Sequence, residues 1–403
     1  MKKYMILAAV AALTLASCAK VETTTTRTMD EEIPIGFSNY TPRSITKAGG
    51  SFTNTATLPD GAVIGVYGYS TDFNDYFRGI AAEHPEFITN GKVEFGTSGG
   101  DSPTATTGEK HYWPKDIRNL LTFYAYYPWV SAANSVITVL PGAAAEGLGT
   151  FQVTQTADVT TMVDFMISDV ENDMYYWDGT NASANDHGRK STIASTTYGI
   201  VPLQLRHMMS NVNFYFKTND SEGSTITVKS ATITGIKSRG TFTPSYTVPT
   251  TAGNKGTTTF DARGVESSEY TAALVIPIGS KYDADLNNVE ENHNDIILTE
   301  TAAINYVDVE GTTAKNNFLF VPQELTDDAV VTITYDLKQG TTTTENVAEV
   351  KIKGALNNAQ NPIVEWVYNN KYNYTFTIGL HEIYFTSQPV AWEDGQAGNI
   401  TVN

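Results

Sequence analysis

Cysteine is nearly absent from this chain of 403 residues: there is one, Cys18. One thiol excludes both a disulfide framework and a metal–thiolate cluster. Positive charge is also scarce, with 26 Lys and Arg against 44 Asp and Glu and a net charge of −18. So acidic a chain repels phosphate backbones and anionic headgroups, so nucleic acid is excluded as a partner. No segment holds the ~18 consecutive apolar residues of a membrane-spanning helix. Neither a GxSxG elbow nor a GxxxxGK[ST] phosphate loop occurs. The six His (His84, His111, His187, His207, His293 and His381) include no pair at the i, i+2 or i, i+4 spacing that aims two imidazoles at one metal. Neither a metal nor a cofactor is therefore expected. What is present is a globular composition, 41% hydrophobic and 11% aromatic, with 31 Gly, 22 Tyr, 17 Phe and Thr throughout. That mixture favours strands and turns over helices, and the length allows two or three domains.

The single Cys has a specific setting. Met1-Lys2-Lys3 is basic, Met5–Ala16 is a short apolar run, and Leu15-Ala16-Ser17-Cys18 closes it. This is the order of a secretory leader ending in what looks like a bacterial lipobox. Residues 1–17 are read as the leader and Cys18 as the acylated first residue of the mature chain. The lipid would anchor the protein to a membrane without spanning it. Loss of Lys2 and Lys3 with the leader takes the net charge from −18 to −20.

Residues 18–31, with the run Thr23–Thr26, read as a flexible tether. Strand patterns follow. Ile33, Ile35 and Phe37 alternate; Tyr40–Ser51 is a polar loop carrying Arg43 and Lys47; Val63–Tyr69 and Leu120–Tyr127 are further strands. Val212, Phe214 and Phe216 alternate, as do Val331, Ile333, Tyr335 and Leu337. Tyr372, Tyr374, Phe376, Ile378 and Leu380 keep strict period two. Met162–Ile167 is short enough to be helix or strand. Glu171–Thr197, rich in Asn, Ser and Asp, reads as a loop, and a domain boundary is placed near residue 200 (32–200 and 201–403). Many short strands punctuated by turns argue for an all-β protein of sandwich domains.

Candidate chemistry is sparse. Asp169, Glu171 and Asp173 alternate like the start of a calcium loop, but the Gly at position six and the Glu at position twelve are missing; a solvated acidic loop is the simpler reading. Asp283, Asp285, Glu290, Glu291 and Asp295 form a second acidic stretch, read as solubilising. His207 stands at the edge of a strand and is read as a hydrogen-bonded core histidine. Tyr112-Trp113-Pro114 and Tyr124, Tyr126, Tyr127 and Trp129 could stack on sugars, although alternate aromatics on a strand divide between core and surface. None of these argues for catalysis, and the chain is not expected to be an enzyme.

Several stretches together resemble the fimbrillin-like surface lipoproteins of the Bacteroidales. They are the lipobox, Ile33-x-Ile35-x-Phe37 with its Arg43 loop, Tyr112-Trp113-Pro114 with Leu121–Pro128, and Val163-Asp164-Phe165-Met166. Leu205-Arg-His207-Met-Met-Ser-Asn-Val212, Val321-Pro322-Gln323, Tyr372–Leu380 and Val390-Ala-Trp392 continue the match in family order. The resemblance implies two transthyretin-like β-sandwich domains and a subunit of a proteolytically matured (type V) pilus at the cell surface. It implies an outer-membrane lipoprotein precursor cut after an Arg or Lys by a trypsin-like protease, here Arg43 with Lys47 and Arg27 as alternatives. The cut would release the first strand, Ile33, Ile35 and Phe37, whose burial is worth about 5–9 kcal/mol. A strand from another subunit would then fill the groove. The C-terminal region is the candidate donor, with Tyr372, Tyr374, Phe376, Ile378, Leu380, Ile400 and Val402 supplying the side chains. Partners would be other pilus subunits and a host or bacterial surface glycan or protein. A shaft subunit, a tip adhesin and a basal anchor share all these features. The alternative is a monomeric glycan-binding lipoprotein; a glycosidase, needing two converging carboxylates, comes third.

Overall fold

A computed structural model of the chain describes residues 32–40, 58, 61–71, 86–95, 111–115, 119–131, 136–140, 149–176, 189–190, 192–195, 198–219, 223–247, 249–251, 253–277, 296–298, 317–357, 361–380 and 383–391. The earlier half carries β1 (Ile35–Tyr40), β2 (Val63–Thr71), β3 (Glu86–Glu94), β4 (Leu120–Tyr127), β5 (Ile137–Leu140), β6 (Thr150–Thr154), β7 (Met166–Ser168) and β8 (Glu171–Tyr175). Next come β9 (Arg189–Lys190), β10 (Thr192–Ser195), β11 (Tyr198–His207), β12 (Ser210–Thr218), β13 (Ser224–Thr234), β14 (Arg239–Thr247) and β15 (Thr257–Gly264). The rest are β16 (Leu274–Val275), β17 (Ile296–Ile297), β18 (Phe318–Phe320), β19 (Gln323–Glu324), β20 (Val330–Gln339), β21 (Thr342–Lys351), β22 (Glu365–Trp366), β23 (Asn370–Ile378) and β24 (Ile383–Ala391). One 3-10 turn, Val159–Thr161, is the sole helical element among the described residues.

The strands form five sheets. β1-β11-β7-β4-β2-β3 is the path of a nine-stranded sheet to which β8, β9 and β10 attach. The others run β18-β12-β23-β24, β15-β14-β6-β5, and β16-β13-β20-β21 with β17 beside β13; β19 and β22 pair alone. The all-β expectation is therefore met.

Strand β4 explains how the sheets share a core. Successive side chains on a strand point to opposite faces, and β4 (LLTFYAYY) is buried on both. Leu121, Phe123 and Ala125 pack with Ile35, Val66 and Leu203. Tyr124 and Tyr126 enter a larger cluster with Phe151, Phe165, Phe214 and Phe376. The division placed near residue 200 falls inside β11, whose Ile200, Val201, Leu203 and Leu205 are all buried. The chain changes sheet between His207 and Ser210. Across that point β6 pairs with β14, Phe151 opposite Phe242, so strands of the earlier half complete a sheet of the later one.

Two local expectations are corrected. Glu171–Tyr175 is the buried strand β8 rather than loop, and short strands β9 and β10 follow within the same stretch. A polar sequence can be buried when distant residues satisfy it, and cations from elsewhere in the chain reach β8. Met162–Ile167 resolves into non-helical chain entering β7.

Candidate functional site

The first strand is an edge. β1 lies at the end of the nine-stranded sheet and pairs in parallel with β11, Ile35 opposite Gly199, Phe37 opposite Val201 and Asn39 opposite Leu203. No other named strand flanks it among the described residues. Before it, the Ile35 N–H donates to the His111 carbonyl and the Trp113 N–H donates to the Ile33 carbonyl, each at 2.9 Å. Ile35 and Phe37 turn inward, 5% and 4% exposed, and Ile33 is half-buried against the same cluster. Below them the edge of the Phe37 ring meets Phe123 at 5.6 Å, and Trp113 meets Phe123 at 5.9 Å. Trp113 Nε1 donates to the Gly199 carbonyl at 3.1 Å. Gly199 permits this approach: a Cβ there would sit 2.4 Å from Trp113 Nε1. β1 thus lies over an apolar trough whose floor is Trp113, Phe123, Val201 and Leu203.

The other residues expected at such a site divide. Cys18, Arg27, Arg43, Lys47, Ile400 and Val402 lie outside the described residues. Tyr372, Tyr374, Phe376 and Ile378 are buried on β23, and Leu380, past its end, is half-buried. β23 is interior, with β12 parallel on one side and β24 antiparallel on the other. Trp366 Nε1 donates to the Tyr374 hydroxyl at 2.9 Å, and burial pushes that phenol's pKa up. An interior strand is not open to a neighbouring subunit without dismantling its own sheet. The edge strand at that end is β24.

The acidic stretch is not a solvated loop. Arg206 grips Asp169 with two hydrogen bonds, Nε to Oδ1 at 2.8 Å and Nη2 to Oδ2 at 3.1 Å. Glu171, its side chain 2% exposed, faces Lys255 Nζ through Oε1 and Arg189 Nη2 through Oε2, the latter at 2.7 Å. Asn172 Oδ1 accepts from the Gly256 N–H at 3.0 Å. Three cations thus meet the carboxylates, and no group of three His, Cys, Asp or Glu fit to hold a metal occurs among the described residues. Asp283, Asp285, Glu290, Glu291 and Asp295 lie outside the described residues, as do His84, His187, His293 and His381.

His207 behaves as a core histidine: its Nδ1 lies 2.9 Å from Asp164 Oδ1, both side chains buried. Burial raises the pKa of Asp164, and the nearby His207 opposes the rise. The two stretches containing them meet because β7 pairs antiparallel with β11, His207 opposite Met166. Sequence reading missed Lys255, Arg189 and Arg206 as partners, since nothing local marks a surface-type cation as one that reaches a buried carboxylate.

The aromatic residues form core rather than a platform. Trp113, Tyr124 and Tyr126 are buried, and Tyr67 stacks on Tyr124 at 5.1 Å. Trp129 is half-buried, its Nε1 donating to the Asn90 carbonyl at 3.3 Å, with Lys92 Nζ 5.4 Å from its ring.

The chain was compared with known proteins. A fimbrial protein of Bacteroides vulgatus has a similar structure, with a TM-score of 0.55 at 16% identity, over 89% of this chain and 99% of that one. A protein of Bacteroides uniformis provisionally named for cell adhesion aligns over 90% of this chain and 98% of its own, at 14% identity and a TM-score of 0.41. No curated protein sequence matches. The sequence profile of the family described as fimbrillin-like matches residues 46–391, and on that match, across most of its length, the chain belongs to the fimbrillin-like family.

Proposed function

We propose that the protein is a structural and adhesive subunit of a cell-surface fimbria, without catalytic activity, that joins other subunits by exchanging a strand. One observation carries the reading: β1, an edge strand held on one side by β11, covers an apolar trough with Ile35 and Phe37. Such a strand leaves by giving up its pairing with β11 and two hydrogen bonds with His111 and Trp113, and the exposed trough then accepts an extended segment through main-chain hydrogen bonds and side-chain pockets. Family membership supports the fimbrial role. Export as a lipoprotein acylated at Cys18, and cleavage after Arg43, complete the proposed route. β24 and the chain beyond it, with Ile400 and Val402, are the donor in this reading. The rival reading, capture of glycans by a monomeric lipoprotein, loses support because Trp113, Tyr124 and Tyr126 are buried.

The test is the intact mass and N-terminal sequence of protein taken from the producing cell surface. A chain that begins at Ser44 and runs as a heat-labile ladder on gels is the expected result. One that still begins at acylated Cys18 and runs as a monomer overturns cleavage and exchange together.

A further inference from the structure

The sheet β16-β13-β20-β21 turns Ile226, Val228, Ile233, Val331 and Ile333 into the core. Its other face is open, and the register lays that face out in rows, because directly opposed residues share a face. Val275, Thr232, Thr332 and Glu349 form one row. Ser230, Thr334 and Val347 form the next, and Ile297, Thr227, Asp336 and Glu345 the third. Five large apolar side chains stand exposed among the described residues, and three are here: Val275 at 67%, Ile297 at 62% and Val347 at 64%. Single exposed apolar residues are ordinary, but three on one flat face of Thr and Ser mark a surface made for contact.

Charge indicates what covers it. The face carries Lys229, Lys338 and Lys351 against Asp336, Glu345 and Glu349, a balance of zero on a chain whose net charge is −18. A second copy of this acidic chain is repelled elsewhere and tolerated here.

We propose that this face binds the same face of a second copy, side by side. Two aligned arrangements with two-fold symmetry are available to facing sheets. An axis across the strands lays β21 on β21 and sets Glu345 against Glu349, a repulsion. An axis along the strands lays β21 of one copy over the β16 and β17 edge of the other. Val347, whose row lies midway between those of Val275 and Ile297, then enters the gap between them, about 13 Å long at ~3.3 Å per residue. The same axis brings Asp336 and Glu345 of one copy over Lys229 of the other. Three strands of about ten residues, with the short β16 and β17 beside β13, cover on the order of 500 Å² per copy, near the lower limit for a specific interface. A contact that weak becomes firm when many repeat along two fibres. The inference rests on the proposed fibre for the firmness of the contact, and the ladder on gels reads that assembly separately.

The test is a cysteine pair in the full chain, displayed on the producing cell. With Val347 of one copy midway along the gap of the other, it stands about 7 Å along the strand from Val275 across sheets ~10 Å apart, farther than the ~7 Å that a disulfide bridges but within reach of a flexible bis-maleimide cross-linker. With that reagent V275C/V347C should give a covalent dimer on gels, with V275C or V347C alone giving at least tenfold less. Adding Lys229→Glu should lower the yield about tenfold, while the ladder on gels, which reads end-to-end exchange, stays unchanged. Absence of the dimer, equal yield from the single variants, or a bond to a protein of different mass would overturn the proposal.

Discussion

If β1 is a replaceable strand, cutting the chain between β1 and β2 converts it from a covalent neighbour into a ligand whose affinity resides in its inward side chains. The perturbation is Phe37→Ala, in a chain carrying a site-specific protease sequence inserted between residues 41 and 57. Phe37 is 4% exposed and packs edge-on to Phe123 at 5.6 Å. Truncating a buried Phe costs about 3–5 kcal/mol, and at the edge of a sheet the lower value applies. About 3 kcal/mol is roughly 150-fold in affinity, at 1.4 kcal/mol per tenfold. After cutting and removal of the released strand, fluorescence anisotropy would report binding of a labelled peptide covering residues 32–40. The peptide carrying Phe37→Ala should bind roughly 150-fold more weakly than the native one. A peptide with Ser38→Ala, a half-buried position next to the inward-facing Phe37, should differ by less than about fivefold, because a change outside the packed face is nearly neutral. Equal binding of the Phe37→Ala and native peptides would refute the reasoning, since β1 would then be held by its backbone alone.

Two further outcomes follow from the buried polar groups. Burial raises the pKa of Asp164, so the folded chain holds that proton more tightly than the unfolded chain; the stability so gained is present below the unfolded carboxylate range and lost as pH rises through the raised value. Asp164→Asn should therefore become progressively more stable relative to wild type from about pH 3 to pH 7, read from urea midpoints, and a difference constant with pH would count against it. Arg189→Ala combined with Lys255→Ala takes both cations from the buried Glu171 and should cost about 3 kcal/mol of unfolding free energy; a loss under about 1 kcal/mol would mean that water or another group replaces them.

Where one face of a strand is buried and the other is wet, its sequence shows the alternation, and those strands were legible. β1 and β23 follow their apolar period, and β4 declares itself by an apolar run stopped at Pro128. β21 was not legible: TTTENVAEVK lies mostly exposed on an edge, so little in it records an inward face. β8 hid for the opposite reason, because its buried polar groups are satisfied by Lys255 and Arg189, far along the chain. The candidate site was legible in its side chains and not in its pairing. Ile33, Ile35 and Phe37 read as a strand with an apolar face, yet no local pattern could indicate that the neighbour is β11 or that the two run parallel. The same limit made β23 look like a free donor, since a strict period of two is shared by interior and edge strands alike.

The parallel pairing of β1 with β11 also sets an order in time. Ile35 is made before its partner Gly199, which follows roughly 160 residues later, some 8–30 s at about 5–20 residues per second. Throughout that interval the first strand has no slot to enter. Its place at the edge comes into being only when β11 has joined β7, so the rest of the sheet matures as a receiver awaiting a strand. β1 is then the last strand to join a sheet whose other members are already in place.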